Sequence, residues 1–550
     1  MKKICAVSGV AFEITDGDMK FYETMGVPAP TLCPEERMRR RLAWRNERKL
    51  YQRKCSLCGK RIISIYDKNT KFPVYCEDCW WSDKWDAQNF GQDFDLSCSF
   101  FKQFLDLFNK VPSISLWNIA SQNSEFNNCC FNNKNCYMNF TTDQSEDSYY
   151  NTSSDGCKDV VDCYEARSCE LCYECLDCKS CYDSKFLQNC KNCQDSTFLK
   201  NCIGCNNCFG CINLRNKQFY FLNEELTKEV YQQKIEKLCL EKYSQIQELK
   251  RSFQQFLLKF PHKCSEFENC ENCTGNYIRN SKNAHHCYDI QNAFDAKYCT
   301  YVTYFPVENV MDLYAIGGAK NCLEIIAGPE ITNSSFIIGI KNGPHESNYC
   351  VSCINNCHNC FGCVGLKHAQ YYIFNKQYTK EAYFILREKI IAHMKQIGEW
   401  GEFFPIKFSP FGYNETVAQE YFPLTQEEAL KRGYKWTELK KKDYQSATIT
   451  TIPDSIDDIK DTICDEVLAC EYCSKNYKIQ KEELKFYRKM KLPIPRLCPD
   501  CRHLARTKLR NPRKLFDRKC DNCSVPIQTT FASERQEQVF CEKCYLEAVN

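Results

Sequence analysis

The chain has 550 residues, a net charge of +3 and 44 cysteines, enough length for several domains. The near-neutral balance excludes a polycation overall, so an electrostatic partner must be met locally. No window of about 18 uncharged apolar residues occurs, which excludes a membrane-spanning helix, and Met1–Gly9 carries no sustained apolar run or cleavage signal. A cytoplasmic, reducing setting is the expectation, and there repeated C-x-x-C pairs read as metal ligands before disulfides.

Residues 1–88 read as a metal module. Shifted by 465 positions, residues 1–80 fall on 466–545 without a gap. Cys5 meets Cys470, Phe21-Tyr22 meets Phe486-Tyr487, and Cys33 meets Cys498. Such a register marks a duplication. Cys55, Cys58, Cys76 and Cys79 form two C-x-x-C pairs, the four thiolates that tetrahedral Zn²⁺ requires. Ser8 and Glu36 stand where the other copy has Cys473 and Cys501. Both losses fall on one site if the first and second pairs share a metal. Sequential pairing is therefore expected, with Cys5 and Cys33 marking a weak or lost site. Residues 37–54 carry net +8, and helix formers dominate them. Arg37, Arg39, Arg40, Arg41, Arg45 and Arg48 are candidate contacts to nucleic acid or a partner, because guanidinium forks match phosphate oxygens. The equal alternative is docking within the chain, since residues 124–216 carry net −5.

Residues 89–123 read as a helical cap. Phe100, Phe101, Phe104, Leu105 and Phe108 share one helical stripe, expected to close the repeat that follows. Residues 124–223 hold fifteen cysteines between Cys130 and Cys211, with every gap a multiple of three. Ser184–Asp195 recurs as Ser196–Asn207, giving a unit of twelve. A period of three is neither helix nor flat strand. It predicts a tight β-solenoid with four inward side chains per coil, and its spacing resembles the thin β-helix of certain insect antifreeze proteins. Cysteine then serves as a small buried hydrophobe. The alternative use of these thiols is cluster binding or disulfide exchange.

Residues 224–262 read as a helical connector, with Thr227 starting a helix that runs to about Leu258. A second solenoid covers 263–375 with phase slips. Its Asn359-Cys360-Phe361-Gly362-Cys363 repeats Asn207-Cys208-Phe209-Gly210-Cys211 at an offset of 152. Inward runs include Cys322/Ile325 and Ile331/Ser334/Ile337/Ile340. Residues 376–442 read as a helical cap and 443–465 as a linker.

The last module, 466–550, keeps all four pairs: Cys470/Cys473, Cys498/Cys501, Cys520/Cys523 and Cys541/Cys544. Residues 502–519 carry net +7, and Arg502, Arg506, Arg510 and Arg513 join the basic candidates. Cys470-x-x-Cys473, then Phe486-Tyr487, then Pro495-x-x-Cys498-x-x-Cys501-Arg502 resembles the probable zinc-ribbon domain family, marked by an FY pair and a P-x-x-C-x-x-C-R knuckle. The layout also resembles large cysteine-rich zinc-ribbon proteins of small-genome bacteria. The resemblance implies zinc-ribbon modules and names no activity.

The sequence therefore predicts a multidomain, mainly β protein: two tight Cys-rich solenoids with helical caps, flanked by duplicated zinc-ribbon modules, with about three Zn²⁺ per chain from the ligand count. No nucleophile elbow, P-loop or dinucleotide fingerprint occurs, and no small-molecule substrate or catalytic residue is evident. The leading expectation is a non-catalytic scaffold with a protein partner. The alternatives are binding of nucleic acid, RNA ahead of DNA, through the arginine helices, and thiol redox or metal-cluster chemistry.

Overall fold

The computed structural model describes residues 1–303, 306–314, 319–320, 322–326, 331–339, 343–438, 445–449 and 451–549. The protein is mainly β, with solenoid coils making about 20 turns and a cysteine-rich module near each terminus. No described helix is long and apolar enough to cross a membrane.

The first solenoid stacks parallel rungs twelve residues apart, as in Cys172 beside Val160 and Ser184, and Leu199 beside Cys211. Its first rung is already at Asn118–Ile119, ahead of the expected start at residue 124. It ends where Tyr220–Phe221 turns back antiparallel on Glu224–Glu225. The second solenoid absorbs its phase slips as coils of unequal length. Phe267 pairs Ile278, Ile278 pairs Ile290, Ala296 pairs Val310 and Ile337 pairs Cys350. Ile340, expected to point inward, lies outside the described residues.

Each three-residue step has a fixed chemistry. The residue before each inward position turns the corner with positive φ, as at Asn189, Asn192, Asn201 and Asn207, where φ is 49–53°. That left-handed region is costly for most side chains, and Asn, Asp and Gly occupy it most readily. The remaining N–H groups run between coils: Lys191 N donates to Cys202 O at 3.0 Å and Asn192 N to Lys179 O at 3.0 Å.

Some inward N–H groups, such as that of Cys130, reach a carbonyl, and for others side chains of the coil below accept. Cys163 N donates to Asn151 Oδ1 at 2.8 Å, Cys208 N to Ser196 Oγ at 3.1 Å and Cys175 N to Cys163 Sγ at 3.2 Å. The thiols in turn donate to lumenal carbonyls, as Cys202 Sγ does to Lys200 O and Cys211 O at 3.4 and 3.7 Å. Cysteine is thus more than a small hydrophobe here, because a buried N–H left without an acceptor costs on the order of 1–3 kcal/mol.

Three expectations are corrected. The Phe100–Phe108 helix does not close the first solenoid. Phe100 packs on Tyr349, Phe361 and Phe374 of the second, with centroids 5.1–5.6 Å apart, because that solenoid carries the matching aromatic ladder. The connector is two helices, Lys228–Glu236 and Tyr243–Leu257, separated near Cys239, whose φ is 49°. The described part of the 443–465 segment is not a free linker. Ile456, Ile459 and Ile463 are buried, and Asp454 accepts from Ser244. Residues 443, 444 and 450 of it, and 439–442 of the preceding cap, lie outside the described residues.

Burial pushes the Cys136 thiol up to about 11, and Cys157–Cys211 line a sealed core. Brief native alkylation with iodoacetamide should therefore leave the Cys130–Cys211 ladder unmodified, and denaturation should open it. Mass spectrometry showing native labelling of Cys175 or Cys190 would contradict a closed lumen.

Candidate metal centres and the arginine helices

Three sets of four thiols converge: Cys55/Cys58/Cys76/Cys79, Cys470/Cys473/Cys498/Cys501 and Cys520/Cys523/Cys541/Cys544. Within each set all Sγ atoms lie within 4.8 Å of one another. The Cys58–Cys76 and Cys523–Cys541 sulfurs are 3.8 Å apart, and Cys473–Cys498 are 3.6 Å apart. A tetrahedron with metal–sulfur bonds of about 2.3 Å has an edge of about 3.8 Å, so these sets fit a metal of that size. The pairing is sequential, first pair with second and third with fourth.

The leading knuckle of each set is built by one local rule. Cys55 N donates to Lys60 O, and Gly59, at φ 75°, returns its N–H to Cys55 O. Cys470 with Lys475 and Ser474, and Cys520 with Val525 and Ser524, repeat this. Against the cost of burial, the N–H groups of Cys58, Cys76 and Leu57 bring the Cys55 thiol down to about 6. The corresponding amides do the same for Cys520. The thiolate is the form that binds metal.

The Cys5 knuckle keeps this backbone, with Cys5 N on Val10 O at 2.9 Å and Gly9 N on Cys5 O at 3.0 Å. Its would-be partners are differently employed. Ser8 Oγ lies 3.8 Å from Cys33 Sγ, while Glu36 is taken up by Arg39 and Arg432. Cys5, Leu32 and Cys33 instead pack with Phe12 as an apolar cluster.

The strands beside the thiol sets attach to the solenoid mouths. Val74–Tyr75 pairs with Ser113–Ile114 ahead of the first solenoid, and Val539–Phe540, the same positions of the other copy, with His262–Lys263 ahead of the second.

The arginines face inward. On the Pro34–Leu42 helix, Arg37 and Arg41, one turn apart, share Asp312 at 2.8 and 3.1 Å. On the Pro499–Thr507 helix, the equivalent Arg502 and Arg506 share Asp162 at 3.2 and 2.6 Å. Both aspartates are coil corners of φ 57° with no exposed side-chain area. Arg40 holds Glu324, Arg39 holds Glu35 and Glu36, Arg45 holds Glu47, Arg510 holds Asp177 and Asp289, and Arg513 holds Asp289. Burial works against ionisation of Asp289, yet Arg510 and Arg513 hold it down at about 2. Arg48 bonds Thr152 and lies over the Phe140 ring.

Of the two readings of these residues, their geometry is that of docking. As placed, nine of the ten guanidinium groups are held by carboxylates of the solenoids or of their own module, and Arg48 by Thr152 and the Phe140 ring. The acceptors Asp162, Asp289 and Asp312 were not legible beforehand, because nothing marks which coil-corner aspartate meets a helix.

Trp80, Trp81 and Trp85 pack on the second solenoid, with Lys367 Nζ 4.8–5.1 Å from the three rings. His358 stacks on His345 at 4.8 Å on the outer wall and belongs to none of the converging thiol sets. No family model matches the chain, and neither does any curated protein or solved structure.

Removing one partner of a buried ion pair costs about 3–5 kcal/mol. Asp162→Ala, which strands two arginines, should reach the top of that range in denaturant unfolding, and Glu482→Ala, on the exposed surface, should change little. Elemental analysis should find three metal equivalents per chain. Cys523→Ser should lower that to two, and a fourth equivalent would mean that Cys5 and Cys33 retain a metal.

Proposed function

We propose that the protein is a non-catalytic, zinc-stapled scaffold of the cytoplasm that offers its solenoid walls to a protein partner. One observation carries the reading. Each terminal module is joined to one solenoid through its metal-held strand and buried against the other through its arginine helix. The metal sites and the buried charge are thereby committed to holding two rigid walls together. Zinc suits all-thiolate sets of this size, and four protein ligands leave no open position for chemistry.

The surface left over is regular. One outer row of the first solenoid runs Gln122, Lys134, Glu146, Lys158 at successive coils. Lys134 and Glu146 pair at 2.6 Å, and farther along the row Tyr182 is 44% exposed. A ladder of alternating charge ending in an exposed ring suits a polar protein surface.

The test is affinity purification of the full chain from its native cell. A variant with Lys134→Glu, Lys158→Glu and Tyr182→Asp should lose a stoichiometric partner that the wild type and Lys395→Glu both retain. Equal recovery with all three proteins, or none with any, would refute this surface.

A further inference from the structure

Nine of the ten docked arginines named above have a carboxylate within ion-pair distance; Arg48 has none among the described residues. Its counterpart in the other copy, Arg513, is held by Asp289. Arg48 is 7% exposed. Its Nη1 donates to the Thr152 hydroxyl at 2.9 Å, its guanidinium lies 4.5 Å from the Phe140 centroid, and its Nη2 has no hydrogen-bond partner. A buried cation with no carboxylate in contact is unfavourable, and burial draws this guanidinium's pKa down although Asp500, Glu420 and Glu47 attract it from farther off.

Arg48 also forms part of the wall of a cleft of about 700 Å³ between the two terminal modules. Lys49, Lys475 and Lys478 line the same cleft, and Asp500 is the one carboxylate among its described lining residues. Asp500 holds Lys49 at 2.6 Å and Lys475 at 3.4 Å. Among the described lining residues four cationic side chains therefore stand against a single carboxylate; it holds Lys49 and Lys475, and Lys478 Nζ donates to the Asp465 carbonyl at 3.1 Å. Tyr51, Tyr137 and Tyr477 complete the walls, and aromatic rings beside cations are the usual means of holding a nucleobase next to its phosphate.

We propose that this cleft binds the phosphate of a nucleotide, presented either as a free mononucleotide or as part of an RNA strand. The lysines would meet the phosphate oxygens, Arg48 would gain the missing counter-charge, and the tyrosine walls would face the base. Arg48 and Lys49 come from the basic stretch weighed at the outset, but Lys475 and Lys478 lie outside both such stretches, so the cleft is not the surface of the docked helices. It is also independent of any protein partner on the solenoid walls.

The experiment is calorimetric titration of the metal-loaded full chain with ATP, oligouridylate and unphosphorylated adenosine. The phosphate-bearing probes should bind and adenosine should not. Lys478→Glu, at an exposed position, and the double variant with Lys475→Glu should weaken binding tenfold or more. Lys217→Glu, remote on the first solenoid, should leave it unchanged. An unaltered melting temperature for Lys478→Glu keeps loss of binding separate from loss of fold. Tight ATP binding identifies the mononucleotide as the source. Binding of oligouridylate alone, falling steeply between about 50 and about 200 mM salt, identifies the strand. If neither phosphate-bearing probe binds, or if binding is indifferent to the lysine substitutions, the proposal is overturned.

Discussion

Two arginines one helical turn apart, closing on a single buried aspartate, are the contact on which the rest of the architecture depends. The arrangement occurs twice, at Asp312 with Arg37 and Arg41 and at Asp162 with Arg502 and Arg506. Each aspartate is a coil corner, so its position is fixed by the stacking of the solenoid and not by a flexible loop. A shared carboxylate with no exposed area tolerates little sliding, because a guanidinium displaced by an ångström loses its counter-charge in a medium that cannot replace it. The contact is therefore better understood as setting orientation than as adding net stability. Hydrophobic burial of Met38, Leu42 and Trp44 beside it supplies the ordinary attraction. The carboxylates fix the register in which that attraction is realised.

The thiol sets act one level below. A module of this size has little core of its own, and a metal in each set would hold its knuckles and place the strand that joins a solenoid mouth. The N-terminal copy shows how far this can be relaxed. Its Cys5 knuckle keeps the same backbone hydrogen bonds as the three complete sets, although Phe12, Leu32 and two thiols pack where the other copy has four ligands. Once the arginine helix is seated against its solenoid, packing and ion pairs hold that part of the module, and the ligand set is free to drift. Glu36 shows the drift directly, having turned to Arg432.

Much of this was legible in the sequence, and for definite reasons. The solenoids announced themselves because a narrow lumen admits only small side chains, so the spacing of cysteines reports the geometry of the coil. The thiol sets were legible because metal chemistry needs particular residues at particular intervals, and comparing the two copies even gave their pairing. Where each element docks was not legible. The stripe of Phe100 and Phe104 says that the helix has an apolar face, yet not which of two similar aromatic ladders it will cover. Net charge pointed to the right kind of partner for the arginines but could not single out Asp162 or Asp312 from the other coil-corner aspartates. The lumenal hydrogen bonding that explains why cysteine alternates with Ser and Asn became apparent only once Cys163 N was seen to face Asn151.

The crossed attachment of the two modules has a consequence for synthesis on the ribosome. Arg37 and Asp312 are 275 residues apart, and Arg506 and Asp162 are 344 apart. The first arginine helix must emerge and wait, its apolar face and charges unmatched, until most of the second solenoid has been translated. The first solenoid, complete long before, keeps one flank bare until almost the last residues are made. Contacts of such separation close late and slowly, and partly covered walls with open edges invite the wrong neighbour in the interval. A molecule assembled from duplicated halves that embrace each other crosswise is thus exposed, during every round of translation, to the same embrace between two nascent chains.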